Sequence, residues 1–177
     1  MTEELETLKL VIDKLDEGNF SYYLTGSMAM SFYSIPRMTR DSDILIQLYA
    51  KDVDKFVELF KEEFFVDESM INDSLISNMM FNIFNKKNLF KIDFILKTND
   101  EYENLKFERR KKLKINGLEV YVISIEDLII SKLYWAKDSL SEMQLNDIRA
   151  LMKASIDKEY VGEWISGLNL NEAYERL

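Results

Sequence analysis

Residues Tyr22 to Gln47, YYLTGSMAMSFYSIPRMTRDSDILIQ, narrow the fold more than any other part of the chain. A short apolar segment, Tyr22 to Leu24, reads as a strand, and Gly26-Ser27 turns directly into a helix-like run from Met28 to Tyr33. The only proline, Pro36, and the segment Arg37-Met38-Thr39-Arg40 then lead to Asp41-Ser42-Asp43 and the apolar Ile44-Leu45-Ile46. Two carboxylates two residues apart on a strand project from the same side of a sheet, close enough to share a divalent cation. A Gly-Ser turn at a helix N-terminus offers N–H groups and a hydroxyl to a phosphate. An anion cradle followed by a carboxylate pair is what phosphoryl or nucleotidyl transfer requires.

Composition removes several competing chemistries. The 177 residues contain no histidine and no cysteine, so Ser-His-Asp and Cys-His nucleophile systems, the usual zinc sites and disulfides are excluded. A metal in such a chain is held by oxygen ligands, which selects Mg²⁺ or Mn²⁺. The formal charge of −9 argues against non-specific nucleic-acid binding over the whole surface, while leaving room for a local basic face. With 47% hydrophobic residues the chain can bury a sizeable core. No apolar run has the length of a membrane span, and the acidic start, Met1-Thr2-Glu3-Glu4, is unlike a signal peptide, so the expected location is cytoplasmic with no membrane partner.

The rest of the chain reads as an α+β protein with a mixed sheet. Leu5, Leu8, Val11, Ile12 and Leu15 have helical spacing ahead of Gly18-Asn19, and Val53, Phe56, Val57, Leu59, Phe60 and Phe64 repeat the pattern. Asp67 to Asn78 reads as a loop with a short helix. Met79–Asn85 and Leu89–Lys97 form a predicted hairpin across Lys86-Lys87-Asn88, followed by a helix from Asn99 to Arg110. Asn116-Gly117 is a strong hairpin signal between two further strands. Ser124-Ile125-Glu126-Asp127 is a helix start close to a capping box, and everything beyond it reads as helix. The expected organisation is a core domain over 1–123 with a helical region, 124–177, packed on it.

Asp93 is the third acid of interest. It interrupts the apolar strand Lys91-Ile92-Asp93-Phe94-Ile95, where aspartate is disfavoured. Alone, such a residue reads as solvated on the outer face of a one-sided sheet, and a D-x-D or a Gly-Ser turn is equally common in a chain that is 31% charged. The order of the pieces is what carries weight. Lys132, among Leu128, Ile129, Leu133 and Trp135, reads as a lysine snorkelling from a packed face. Asp147 reads as a solvated or locally paired helical residue. Arg109-Arg110-Lys111-Lys112 with Lys114 reads as a solvated basic face, with steering of an RNA acceptor as the functional option.

This arrangement resembles the polymerase-β-type nucleotidyltransferase superfamily, whose pattern is Gly-Ser or Gly-Gly, a spacer, D-x-D and a later third acid. Gly26-Ser27 with Arg37-x-Thr39-x-Asp41-x-Asp43 is more specifically similar to the AbiEii-type abortive-infection toxins. Lys91-Ile92-Asp93, Ile125-Glu126-Asp127-Leu128-Ile129-Ile130-Ser131-Lys132-Leu133 and Asp147-Ile148 match that family's later motifs. The resemblance implies a nucleotidyltransferase core that moves a nucleoside monophosphate from an NTP to an acceptor hydroxyl on an RNA end, a protein or a small molecule. Asp41, Asp43 and Asp93 would be the catalytic and metal residues for Mg²⁺ or Mn²⁺. Gly26, Ser27, Arg37, Lys132 and Asp147 would form the nucleotide site, and a cognate antitoxin is an implied partner. Ser42 replaces a residue that is often apolar in the family, the arginine usual shortly after Lys132-Leu133 is missing, and the larger C-terminal lobe is absent. An inactive nucleotide-binding regulator or a protein-interaction domain of the same fold is the alternative.

Overall fold

The computed structural model describes residues 2–34, 41–139 and 141–177. At its centre lies a seven-stranded mixed sheet. The strands are β1 (Ser21–Thr25), β2 (Asp41–Gln47), β3 (Phe64–Phe65), β4 (Met80–Asn85), β5 (Lys91–Leu96), β6 (Lys111–Ile115) and β7 (Leu118–Val122), in the spatial order β3-β4-β5-β2-β1-β7-β6. β2 runs parallel to β5 and β1 parallel to β7, and the other neighbours are antiparallel. The described helices are α1 (Glu3–Glu17), α2 (Gly26–Met30), α3 (Val53–Phe60), α4 (Glu68–Ser77), α5 (Glu101–Arg109), α6 (Ile125–Ala136), α7 (Glu142–Leu151), α8 (Lys158–Gly167) and α9 (Asn171–Tyr174). None is long and apolar enough to cross a membrane.

Alternation along the central strands sorts the side chains onto two faces. Ile44 and Ile46 of β2, Ile92 and Phe94 of β5, and Phe81 and Ile83 of β4 are all buried on one face. There Phe56 of α3 stacks on Phe60 at 4.5 Å and meets Phe81 and Phe94 edge-on at 5.5 and 5.2 Å. Neighbouring tyrosines on β1 show the same sorting. Tyr22 donates to Asp16 of α1 at 3.1 Å, whereas Tyr23, one residue on, donates to Glu103 of α5 at 2.9 Å. Helices therefore cover both faces, α1 on the Tyr22 side and α5 on the Tyr23 side.

Most expected elements form where the pattern places them. Asn116 and Gly117 both take positive φ, 48° and 85°, the twist that a two-residue hairpin requires. Two expectations change. Residues 67–78 are not a loop with a short helix but the ten-residue α4, capped by Asp67, which accepts from the N–H groups of Ser69 and Met70, and closed by Asn78 in the left-handed conformation. The helix after β1 starts at Gly26 and ends at Met30, shorter and earlier than the expected run to Tyr33.

From Ile125 onward every described element is a helix, and one buried carboxylate ties this part to α5. Asp127, in the first turn of α6, has no exposed surface. It accepts from Tyr160 OH at 2.7 Å, Tyr102 OH at 3.1 Å, Arg109 Nε at 3.1 Å and the Ser124 hydroxyl at 2.6 Å. Its own N–H donates back to Ser124 Oγ at 3.1 Å, completing the expected cap. Arg109 also lies 3.9 Å over the Tyr160 ring. Burial, reinforced by the Asp127 charge, pushes the phenols of Tyr102 and Tyr160 well above the usual tyrosine range, so both remain donors. Replacing Asp127 with Ala strands Arg109 and two tyrosine hydroxyls, and we expect a loss of about 3–5 kcal/mol in urea unfolding. Glu119→Ala on the surface of β7 should change stability by less than about 0.5 kcal/mol in the same measurement.

Candidate active site

β2 and β5 run parallel in register, so Asp41 faces Lys91 and Asp43 faces Asp93 on adjacent strands. Ile92 and Phe94 are locked in the core, and alternation forces Asp93 between them onto the opposite face. Asp93 is only 5% exposed, so the alternative of a solvated residue on the outer face does not hold. Its carboxylate instead receives Lys91 Nζ at 2.6 Å, and the same ammonium stands 3.7 Å from Asp41. Thr25 pairs with Asp43 from the other side, which brings the β1–α2 turn up to the acids.

That turn needs glycine for two reasons. Gly26 has φ +64°, and a Cβ there would lie 1.9 Å from Asp43 Oδ2. Gly26 and Ser27 are half-buried, while Met28, Ala29 and Met30 anchor α2 in the core. Since α2 spans five residues, its dipole is small, and any anion affinity rests on individual N–H groups and the Ser27 hydroxyl.

Burial, together with the neighbouring Asp41 and Asp93 charges, pushes the Asp43 carboxyl up to about 6, against a smaller opposing pull from Lys91 and Lys132. The site is thus strongly electronegative, and Lys132 lies near enough to act on it. Lys132 is not a snorkelling lysine. Its ammonium is buried and paired at 3.0 Å with Asp147 of α7. The two helical residues form one unit, which neither spacing nor burial pattern had linked. Arg37 and Arg40 lie outside the described residues. Ser42, between the two acids, is fully buried and its hydroxyl has no hydrogen-bond partner among the described residues.

The donor set suits a hard divalent cation in kind, since it consists of carboxylate oxygens clustered against a close backbone approach. As the side chains stand, no three acidic groups among the described residues are gathered around one point as a metal site. One cation is already drawn in, the ammonium of Lys91. Lys91 was visible in the sequence only as part of a motif. Its position two residues before Asp93 on the same strand face was the available signal. The basic run has less to offer an RNA than its sequence suggested. Arg109 is committed to Asp127, and Arg110 lies 4.2 Å over Phe107 and 5.0 Å over Tyr121, leaving Lys111, Lys112 and Lys114 on the edge strand β6.

The seven-stranded mixed sheet with its helices has the fold of solved nucleotidyltransferases. The structure of ANT(2")-Ia in complex with adenylyl-2"-tobramycin superposes with a TM-score of 0.66 at 14% identity, covering 98% of this chain and 99% of that one. The lincosamide antibiotic adenylyltransferase LnuA, lincomycin-bound, gives 0.58 at 14% identity over 88% of this chain and 98% of that one. A nucleotidyltransferase-like antigenic protein from Paracoccidioides brasiliensis gives 0.61 at 17% identity over 98% and 93%. Residues 4–173 match the family model described as nucleotidyl transferase of unknown function (DUF2204), and the chain belongs to that family. No curated protein matches it.

Two predictions follow from the charges. In metal-free buffer, a raised Asp43 pKa means that the folded state binds the proton more tightly than the unfolded chain. The associated stability is present below pH 4 and is lost as pH rises through about 6. Asp43→Asn should therefore be more stable than wild type at pH 7.5, by about 1–2 kcal/mol after allowance for partial solvation, with little difference at pH 4. Urea titrations at the two pH values measure this. Asp147→Ala leaves Lys132 buried without this partner and should cost about 2–4 kcal/mol, much of it recovered in a Lys132→Met/Asp147→Leu double variant.

Proposed function

We propose that this chain transfers a nucleoside monophosphate from an NTP to an acceptor hydroxyl, with Asp41, Asp43 and Asp93 as the reacting carboxylates. The observation that carries the reading is the apposition of Asp43 and Asp93 on adjacent parallel strands, with Gly26 pressed against Asp43, in a chain of nucleotidyltransferase family. Asp41 and Asp43 would hold Mg²⁺ or Mn²⁺, with Asp93 as a third ligand or as the base. When bound, such a cation neutralises the triphosphate and lowers the pKa of the attacking hydroxyl.

The chain's own groups do the rest. Gly26 and Ser27 cradle the β- and γ-phosphates, Arg37 contacts them from the segment before β2, and Lys132, oriented by Asp147, adds positive charge. Asp93 takes the proton of the acceptor hydroxyl. The acceptor oxygen bonds to the α-phosphorus, the bond from that phosphorus to the β-phosphate oxygen breaks, and pyrophosphate leaves. Asn82 sits opposite Asp93, and the half-exposed Phe84 and Met80 flank it along β4, which supports entry of the acceptor over this open part of the sheet.

ANT(2")-Ia is bound to an adenylylated tobramycin and LnuA to lincomycin, which supports hydroxylated small molecules as the first acceptors to screen. The motifs shared with abortive-infection toxins support adding RNA ends and protein hydroxyls, and a cognate antitoxin would then be sought by co-purification. The test has two stages. Thermal shifts with each NTP should require Mg²⁺ and vanish in Asp41→Ala/Asp43→Ala, since only a ligand of the native state raises the midpoint. Acceptor screening by pyrophosphate release then follows, in which Asp93→Asn should retain nucleotide binding but lose roughly 10²–10⁴-fold in turnover. Binding without turnover by wild type on any acceptor would favour a nucleotide-binding regulator. No shift with any NTP would remove the transferase reading.

A further inference from the structure

Lys91 occupies the place in the acidic cluster where a second positive charge is least compatible. The register of β2 and β5 makes a two-by-two array, with Asp41 across from Lys91 on one rung and Asp43 across from Asp93 on the next. Lys91 Nζ lies 2.6 Å from Asp93 Oδ2 and 3.7 Å from Asp41 Oδ2. Those oxygens are the ones a divalent cation shared by the cluster would need. An ammonium and a divalent cation cannot both sit among them at contact distance without strong repulsion.

Lys91 is nevertheless not trapped. Its side chain is one-third exposed, whereas that of Asp93 is 8% exposed. A lysine is a compact point charge on a flexible four-carbon stem, able to swing between partners without moving the backbone. The strand that carries it is held on both sides, by β2 and β4, so motion is confined to the side chain. An ammonium that leaves the carboxylates needs another anion, and the nucleotide that accompanies the metal brings one.

On the transferase reading of this site, we propose that Lys91 is an exchangeable counter-ion, closing the acidic cluster to free divalent cations and passing to the nucleotide phosphates when metal and nucleotide enter together. The cluster's charge is thereby partly offset in the empty protein and the cluster reserved for the metal–nucleotide complex. Metal alone must break the ion pair without compensation, while metal with triphosphate exchanges one ion pair for another. Metal and nucleotide binding become positively coupled, and Lys91 is the source of the coupling.

Mn²⁺ binding followed by the electron paramagnetic resonance of the free ion tests this without turnover. Wild type, Lys91→Met and Lys91→Arg would each be titrated with Mn²⁺, with and without the α,β-methylene analogues of the nucleoside triphosphates at fixed concentration. Without nucleotide, Lys91→Met should bind Mn²⁺ roughly five- to tenfold more tightly than wild type, the scale of losing one ion-pair competitor. The gain on adding nucleotide should shrink by a similar factor, and Lys91→Arg, which keeps the charge, should resemble wild type. Equal or weaker Mn²⁺ binding by Lys91→Met, with Mn²⁺–nucleotide binding by wild type intact, overturns the counter-ion role and leaves the transferase reading standing. No binding of Mn²⁺ with any analogue by wild type overturns both.

A measurement on wild type alone covers the case in which bare carboxylate repulsion unfolds Lys91→Met. The ¹⁵Nζ resonance of Lys91 should move when Mg²⁺ and analogue are added together, and far less with Mg²⁺ alone at the same concentration. A resonance unmoved by the pair, when thermal shift reports that the pair has bound, overturns the proposal.

Discussion

The parallel, in-register pairing of β2 with β5 is the constraint from which the site follows. At their N-terminal ends the two strands put Ile44, Ile92 and Phe94 on the face driven inward by burial, and Asp41, Asp43, Lys91 and Asp93 must then share the other. A slip of one residue in either strand would send Asp43 or Asp93 into the cluster of Phe56, Phe81 and Phe94 and expose isoleucines in its place. The aromatic packing beneath the sheet therefore determines the position of the acids above it. Core stability and the geometry of the charged face are two consequences of one register.

Placing three carboxylates together costs energy, and the protein offsets it locally. Asp43 answers with a raised pKa, Asp93 with the direct contact to Lys91, and Lys132 contributes at longer range. Lys132 is itself held by Asp147, so its ammonium is fixed in position by α7. A second carboxylate, Asp127, performs a different task with similar chemistry. It is fully buried and gathers donors from Ser124, Tyr102, Tyr160 and Arg109, so α5, α6 and α8 meet at one charge. The Glu-Asp pair at the start of α6 is in this sense an architectural motif. Glu126 accepts from the Asp157 backbone N–H at 3.2 Å, extending the same junction to the start of α8.

The elements with strong period and clear punctuation were legible before any coordinates. These include the helix at the N-terminus, the D-x-D strand, both hairpins and the cap at Ser124. α4 was not, because its apolar residues make no continuous stripe. Only Ile71 and Ser74 are buried, and the element is marked by its caps, Asp67 and Asn78, rather than its pattern. That Asp41, Asp43 and Asp93 would fall on neighbouring strands was suggested by their order along the chain, but their surroundings were not. Local patterns carry no information on what stands across a strand pair or between two helices. The contacts of Lys91 with Asp41 and of Lys132 with Asp147 depend on sheet order and helix packing, which join residues 50 and 15 positions apart. The same limit applied to Arg109, which in a run of four basic residues looks solvated and in the fold answers a buried aspartate.

The disposition of cations bears on what the open face can recognise. The guanidinium groups of Arg109 and Arg110 are spent on packing against Tyr160, Phe107 and Tyr121, so the bidentate phosphate recognition for which arginine is best suited is not available from them. Around the acids the described cations are lysines, which neutralise charge without imposing a planar geometry on their partner. A face built from carboxylates, lysine ammonium groups and the exposed apolar side chains of β4 lacks, among the described residues, the planar donors that read extended phosphate backbones. On the proposed reaction it would suit a compact triphosphate held by charge and an acceptor in contact with Met80, Asn82 and Phe84. Selectivity for that acceptor would then depend on the fit along β4, and affinity for the nucleotide on how completely the cluster's negative charge is compensated when it enters.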